Sequence, residues 1–253
     1  MSTKQPVWPV GYGLHRLAEI DSTLDEAARI APGLTGPTWI LADRQTAARG
    51  RRGRAWVNPK GNLAATLVMR PKGPVDQIAL RSFVAALALF DAVATSTGRA
   101  QGLALKWPND VLLNGGKLAG ILLESAGQGG QAAYLAIGIG VNLIAAPDGD
   151  AVEPHAVRPV SLLSETGVAI EAEDFLTILA SSYAAYETQF DTYGFEPIRA
   201  AWLNRAARLG EVITARTASS ETTGTFETVD GRGNLVLRTA TGPVSIPAAD
   251  IYF

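Results

Sequence analysis

A chain of 253 residues with 47% hydrophobic and 18% charged side chains has the apolar mass for one large domain, or one domain with a small appendage. Its net charge of −2 argues against a generic nucleic-acid binder, and the lack of cysteine excludes disulfides and thiolate metal sites. With His15 and His155 as the only histidines, a metal would be a hard cation on oxygen ligands.

Residues Met1–Gly13, carrying Pro6, Pro9, Gly11 and Gly13, read as an irregular lead-in. They show no basic region followed by an apolar run, so no secretion signal is expected. They also leave no room for a helix-turn-helix unit ahead of the main body, so no built-in DNA-binding domain is expected. Thr23 and Glu26 have capping-box spacing and predict a helix start after Asp21. Capping alone accounts for Ser22 and Thr23; hydroxyls that also bond a ligand are the other reading.

Thr38–Ala42 predicts a buried strand that delivers the chain into Gln45–Trp56, QTAARGRRGRAW. Here Arg49, Arg51, Arg52 and Arg54 alternate with Gly50 and Gly53. Arginine offers a planar fork of donors for phosphate or carboxylate oxygens, and glycine lets the backbone approach a ligand closely. A loop of both types can wrap an anion. Taken alone, such a cluster also reads as a solvated basic loop or a nucleic-acid patch. Because the whole chain is nearly neutral, the charge is local, which favours a small anionic ligand.

Asn62–Met69 predicts a further strand, and Pro74–Thr97 one long helix with Ile78, Phe83, Leu87, Phe90 and Ala94 near one stripe and a stop at Gly98. The apolar run Phe83–Phe90 is too short to span a bilayer. Leu103–Lys106 is a short strand. Pro108 disfavours helix at Trp107, so Lys106-Trp107-Pro108-Asn109-Asp110 stays extended or turns. Asn109 and Asp110 then stand at a strand end, where ligands bind in α/β architectures; an Asx turn is the alternative. Asn114-Gly115-Gly116 predicts a hairpin turn into a buried strand, Lys117–Glu124. A lysine heading an apolar strand is usually an edge charge, and it is also where an ammonium is held rigidly. In Ala132–Leu143, strand alternation puts Ile137, Ile139 and Val141 on one face and Gly138, Gly140 and Asn142 on the other. A glycine-lined face calls for a ligand against it, with Asn142 as partner, or for a closely packed helix.

Ala145–Pro159 is rich in Pro, Asp and Gly and predicts a mobile loop. Glu173–Phe190 is an amphipathic helix with Leu176, Leu179, Tyr183, Tyr186 and Phe190 on one side. Glu196–Leu209 predicts a last helix with Ile198, Trp202 and Leu209 as core candidates. At Leu209-Gly210 the texture changes to short strands, Glu211–Arg216, Thr222–Val229, Leu235–Thr239 and Val244–Ile246. A β tail of roughly 45 residues is small for a free-standing domain and is expected to lean on the main body.

Four segments in this order resemble the biotin–protein ligases: Arg49-Gly50-Arg51-Arg52-Gly53-Arg54-x-Trp56, Lys106-Trp107-Pro108-Asn109-Asp110, Lys117-Leu118-Ala119-Gly120-Ile121 and Gly138-x-Gly140-x-Asn142. The resemblance covers nearly the whole chain. It implies an α/β (α+β) catalytic domain over residues 1–208, with a mixed sheet flanked by helices and related to lipoate ligases, and a C-terminal SH3-like β-barrel over residues 209–253. The implied activity is ATP-dependent activation of biotin as biotinyl-5′-AMP, then transfer to a lysine of the biotin carboxyl carrier protein of a carboxylase such as acetyl-CoA carboxylase.

Residue roles follow from the same resemblance. Ser22, Thr23 and Leu24 match the segment at the biotin ureido group, and Gln45 matches a biotin-contacting glutamine. Arg49, Gly50 and Arg51 match the loop over biotin and the activated phosphate, with Trp56 and Gly120 also at the biotinyl-AMP. Lys117 matches the catalytic lysine, with Arg51 and Arg49 assisting. Asn109, Asp110 and Asn142 match positions around ATP, with Asp110 a Mg²⁺ ligand. A cytoplasmic monofunctional enzyme is implied, a monomer or homodimer, with neither DNA nor membrane as partner. Two positions depart from the family pattern. Leu24 stands where Asn is usual, and Ala48 where Gly is usual, which would cost stability if that position needs positive φ. Competing readings are a lipoate ligase or octanoyl transferase relative, a non-catalytic vitamin sensor, and a nucleic-acid binder.

Overall fold

The computed structural model describes residues 6–71, 73–128, 131–147, 157–217 and 219–252. A seven-stranded mixed sheet forms its centre. The strands are β1 (Gly13–Ile20), β2 (Thr38–Gln45), β3 (Leu63–Met69), β4 (Leu103–Lys106), β5 (Asp110–Leu113), β6 (Gly116–Gln128) and β7 (Gln131–Val141), in the order β1-β2-β3-β7-β6-β5-β4. β1 and β2 run parallel, and every other neighbouring pair is antiparallel.

Alternation along the central strands decides what each face does. Leu63, Ala65 and Leu67 of β3 and Leu135, Ile137, Ile139 and Val141 of β7 point into the main core. Among the described residues six α-helices accompany the sheet: α1 (Thr23–Ile30), α2 (Val75–Ile78), α3 (Arg81–Thr97), α4 (Leu162–Thr166), α5 (Ala172–Tyr193) and α6 (Phe195–Leu203). α3 and α5 pack together over the main core and α6 packs against both. No side chain caps the start of α3, so burial holds it: Phe83, Leu87, Leu89 and Phe90 are all buried, each contributing about 1.5–3 kcal/mol. The opposite face is covered in part by α1, where Leu24, Ala27, Ile40, Val68 and Ala136 make a second, smaller core. Beyond α1 this face carries Gly120, Gly138 and Gly140, and a cavity opens there.

The predicted strands are present, as are the hairpin at Asn114-Gly115 (φ 50° and 78°) and the left-handed stop at Gly98 (φ 70°). Several details differ from expectation. The segment Pro74–Thr97 is not one helix: α2 and α3 are separated by a turn in which Leu80 N–H bonds Gln77 O and Phe83 N–H bonds Leu80 O. That turn brings Ile78, Leu80 and Phe83 all inward. The last helix stops at Leu203, because the following residues pair with β4: Leu105 N–H bonds Arg205 O and Ala207 N–H bonds Leu105 O, both at 2.8 Å. A strand edge is thereby covered, and Leu209 is left 41% exposed rather than in the core. β1 begins at Gly13 with a mostly exposed pattern, and β12 (Asp250–Tyr252) also lay outside the predicted set. Of the predicted loop 145–159, residues 148–156 lie outside the described residues.

The C-terminal unit is a five-stranded antiparallel sheet of the expected SH3-like kind. It comprises β8 (Val212–Arg216), β9 (Glu221–Val229), β10 (Leu235–Thr239), β11 (Gly242–Ile246) and β12, ordered β11-β10-β9-β8-β12. It leans on the main body as expected: Trp107 Nε1 donates to Gly233 O at 3.0 Å, and Arg199 Nη1 donates to Val229 O at 3.0 Å. Among the described residues no helix is long and apolar enough to cross a membrane.

Candidate active site

The cavity on the glycine face has a volume of about 500 Å³, the size that small-molecule sites usually have. All of the site residues named from the sequence line it. Its floor needs hydrogen in place of side chains. A Cβ at Gly140 would stand 2.5 Å from Cε2 of Trp56, and one at Gly138 would stand 3.0 Å from Cδ1 of Leu24. The glycine alternation in β7 therefore makes room both for a side chain from the Arg/Gly loop and for the first turn of α1. Leu24 is buried against Gly138 and gives the cavity an apolar wall at that end.

The polar end is built where α1 begins. Ser22, not Thr23, is the N-cap: its Oγ accepts from Leu24 N–H at 3.2 Å. Ser22 is extended, so the helix starts one residue earlier than capping-box spacing implied, and Glu26 pairs with Arg29 instead. Thr23 is thereby released for another network. Its backbone N–H and its hydroxyl both donate to Gln45 Oε1, at 2.8 and 3.0 Å, and Thr66 Oγ1 donates to Thr23 Oγ1 at 2.8 Å. With Oε1 so engaged, the NH₂ end of Gln45 is the part that can serve a ligand.

The Arg/Gly loop folds back on itself over the cavity. Gly50 N–H bonds Arg54 O at 2.7 Å, Trp56 N–H bonds Ala48 O at 3.0 Å, and a single 3₁₀ turn spans Arg51–Gly53. The left-handed positions are Arg52 (φ 57°) and Gly53 (φ 72°); Ala48 is not one of them, so the cost anticipated there does not arise. Arg49 makes two parallel bonds to Asp25, at 2.7 and 2.8 Å, and two more to Glu124, at 3.2 and 3.0 Å. Those bonds, Asp25 first, raise Arg49 further above the ordinary guanidinium range. Its charge is met by two carboxylates and its geometry is that of a hinge pin.

The cationic end collects Arg51, Lys106 and Lys117. Burial pulls Arg51 below the usual guanidinium range, opposed chiefly by the charge of Asp250. Burial likewise lowers Lys106, opposed first by Asp110. Lys117 Nζ lies 2.7 Å from Asp110 Oδ1 and 5.8 Å from the centre of the Trp56 ring. The Trp107–Pro108 peptide is cis and precedes Asn109, whose Nδ2 donates to Ile121 O at 2.6 Å and whose Oδ1 accepts from Arg51 Nη1 at 3.4 Å. Asn142 is buried, and its Nδ2 donates to Val160 O at 3.1 Å. Both amides thus brace the wall as well as line it.

Sequence reasoning passed over Lys106, Asp25, Glu124 and Asp250. Lys106 heads a motif that was recognised, so its signal was present. The three acids carry no local signal, since each acts through an arginine far away in the chain.

Residues 17–142 match the model of the Biotin/lipoate A/B protein ligase family, and residues 209–253 match that of the Biotin protein ligase C terminal domain. The chain is 58% identical to a biotin–[acetyl-CoA-carboxylase] ligase of Paracoccus denitrificans, over 94% of this chain and 99% of that one. It is 32% identical to the bifunctional ligase/repressor BirA of Escherichia coli, over 87% of this chain and 68% of the relative. A biotin protein ligase from Aquifex aeolicus, solved in complex with biotin and ATP, matches with a TM-score of 0.77 and 25% identity, over 94% of this chain and 97% of that one. Sequence, fold and cavity agree, and the chain belongs to the biotin protein ligase family.

Proposed function

We infer that this chain is an ATP-dependent ligase that activates biotin as biotinyl-5′-AMP and transfers the acyl group to a lysine of the biotin carboxyl carrier protein of a carboxylase such as acetyl-CoA carboxylase. The observation that carries the reading is one cavity with a neutral hydrogen-bonding end at Ser22, Thr23 and Gln45 and a cationic end at Arg51, Lys106 and Lys117. Biotin has a polar ureido edge on an apolar bicycle and a carboxylate at the far end of its chain, so its polarity matches the cavity end to end.

In the first step a biotin carboxylate oxygen attacks the α-phosphorus of ATP, and pyrophosphate leaves. Two anions meet, so fixed positive charge at the meeting point supplies the main stabilisation. Lys117 is assigned to the biotin carboxylate, leaving its ion pair with Asp110, and Arg51 to the reacting phosphate. In the second step the acceptor lysine amine attacks the acyl carbonyl and AMP departs. The mixed anhydride must be kept from water meanwhile, a task suited to the Arg/Gly loop with Trp56 beneath it. Arg49 is assigned to positioning, because Asp25 and Glu124 already hold its donors.

Among the described residues no three His, Asp or Glu side chains gather as a metal cage. Asp110 and Asp250 are the carboxylates that line the cavity, and Asp110, beside the ammonium groups, would hold Mg²⁺ together with substrate phosphates and water. When bound, the ion neutralises phosphate charge. The use of ATP supports a cytoplasmic location.

The test is ATP–pyrophosphate exchange with biotin and with lipoate, followed by labelling of a biotin carboxyl carrier domain. Exchange that depends on biotin and labelling at the acceptor lysine are expected. Exchange driven by lipoate alone would transfer the chain to the lipoate branch.

A further inference from the structure

The loop carries four arginines; Arg49, Arg51 and Arg54 line the cavity, and two of the four, Arg52 and Arg54, have no role in the chemistry proposed above. Both meet a single carboxylate from the C-terminal sheet. Asp250 Oδ2 lies 2.6 Å from Arg52 Nη1 and 3.1 Å from Arg54 Nη2, and its Oδ1 lies 3.6 Å from Arg51 Nη1. Arg51 Nη2 donates in addition to the carbonyl of Ala249, at 3.2 Å. Arg51 is therefore held at Asn109, Ala249 and Asp250 at once.

The two partners differ in rigidity. Asp250 stands on β12, which pairs with β8 from Asp250↔Arg216 to Tyr252↔Thr214, and its neighbours Ala249 and Ile251 are buried. The Asp250 side chain is 15% exposed while Arg52 and Arg54 are 46% and 41% exposed, so the pairs are shielded from solvent on the carboxylate side alone. The arginines belong to a loop pinned at its base through Arg49 and otherwise held by a few backbone bonds and one 3₁₀ turn. Three guanidinium groups this close repel one another, and a single fixed carboxylate offsets part of that repulsion. Arg51 and Arg54 line the cavity, where phosphate oxygens would meet them.

We propose that Asp250 is a positioning residue for the adenylation step: from the C-terminal sheet it latches the Arg/Gly loop shut and aims Arg51 at the cavity. The proposal rests on the ligase reading for the step it serves, but the latch itself can be read without any substrate.

Limited trypsin digestion of the full chain, without ligands and with cleavage sites mapped by mass, reports loop opening at Arg49–Arg54. Asp250→Asn keeps the shape and removes the charge; cleavage in the loop is expected to rise about 5- to 10-fold, and Asp250→Glu to restore most of the protection. In biotin-dependent pyrophosphate exchange Asp250→Asn is expected to lower kcat about 10-fold while the biotin KM moves less than about 2-fold. Unchanged loop cleavage overturns the latch, and faster cleavage with unchanged kcat overturns its part in adenylation. If Asp250→Asn instead loosens the sheet, cuts appear at Arg216, Arg232 and Arg238. The double variant Arg52→Gln/Arg54→Gln, which leaves β12 intact, then decides, because unchanged cleavage at Arg49 and Arg51 overturns the latch. Should biotin not be the substrate, exchange is silent in the parent protein too, while the cleavage pattern still stands.

Discussion

Lys117 and Gly140 act on the same small volume, one by a charge and one by the lack of a side chain. Lys117 heads β6 with its ammonium 2.7 Å from Asp110, and we propose that it turns from that pair to the substrate carboxylate. Stabilisation of charge that develops in the transition state is worth more than binding of the ground state. Lys117→Ala is therefore expected to slow adenylate formation by about 100-fold or more, with only a minor change in the biotin Kd measured by calorimetry. Equal losses in both quantities would sink the assignment. Gly140 has the opposite character. A Cβ there would meet the indole of Trp56 at 2.5 Å, and the Trp56 backbone is tied by its N–H to Ala48 O. Gly140→Ala must push the ring out and open the loop, an overpacking that costs about 1–3 kcal/mol. A modest fall in Tm and a large fall in adenylate yield are expected, and full activity in this variant would mean that Trp56 does not need that seat. At Gly138 the added atom meets Cγ and both methyls of the buried Leu24 at 3.0–3.1 Å, looser than the 2.5 Å at Gly140, so Gly138→Ala is expected to be the milder change.

The Arg/Gly loop is the element on which these residues depend, and its base is pinned by Asp25 and Glu124 through Arg49. The hydrogen bond from Arg49 holds the Asp25 carboxyl below its ordinary value of 3.8. An acid whose folded pKa is depressed adds stability at all pH above its unfolded value and loses it as pH falls through the lower, folded one. The pin is thus constant across the neutral range and weakens only in acid below the usual carboxylate range. Hydrogen exchange of residues 46–57, corrected for intrinsic rate, is expected to be flat from about pH 5 upward and to rise below about pH 4. A rise near pH 6–7 would mean that another group controls the loop.

At this scale the sequence is also most and least informative. The strands of the central sheet were legible because burial imposes a period of two, and β7 even showed which face would be cavity, through Gly138 and Gly140. β1 was not legible, since an edge strand with a mostly exposed pattern carries little apolar alternation. The break between α2 and α3 has no glycine or proline to mark it. The arginines announced an anion site, but their protein partners lie 24, 75 and 198 residues away, at Asp25, Glu124 and Asp250. Pairings at such separations are set by the folded topology and leave no spacing to read.

Of those distant partners, Asp250 reaches the loop only if the C-terminal sheet stays docked. Residues 1–208 and 209–253 differ in texture, and we propose them as two structural domains, yet they share one core. Leu80, Phe83 and Trp107 of the main body lie in the same buried cluster as Phe226, Val229 and Leu235 of the C-terminal sheet. The contact is close at Gly233, whose φ is 82° and where a Cβ would stand 2.9 Å from Leu80 and 3.0 Å from Phe83. Trp107 seals the same point with its hydrogen bond to Gly233 O. A sheet of five short strands has too little interior of its own to offset the entropy of ordering it. Separation would expose apolar surface on both sides and leave the indole N–H of Trp107 without its acceptor. The two domains are therefore expected to unfold as one unit, with a single calorimetric transition and a calorimetric enthalpy close to the van 't Hoff value. A fragment of residues 1–208 is expected to aggregate or to bind a hydrophobic dye. Two resolved transitions would mean that the sheet stands by itself. Asp250 would then be carried by a mobile domain, and closure of the Arg/Gly loop would depend on domain docking as well as on ion pairs.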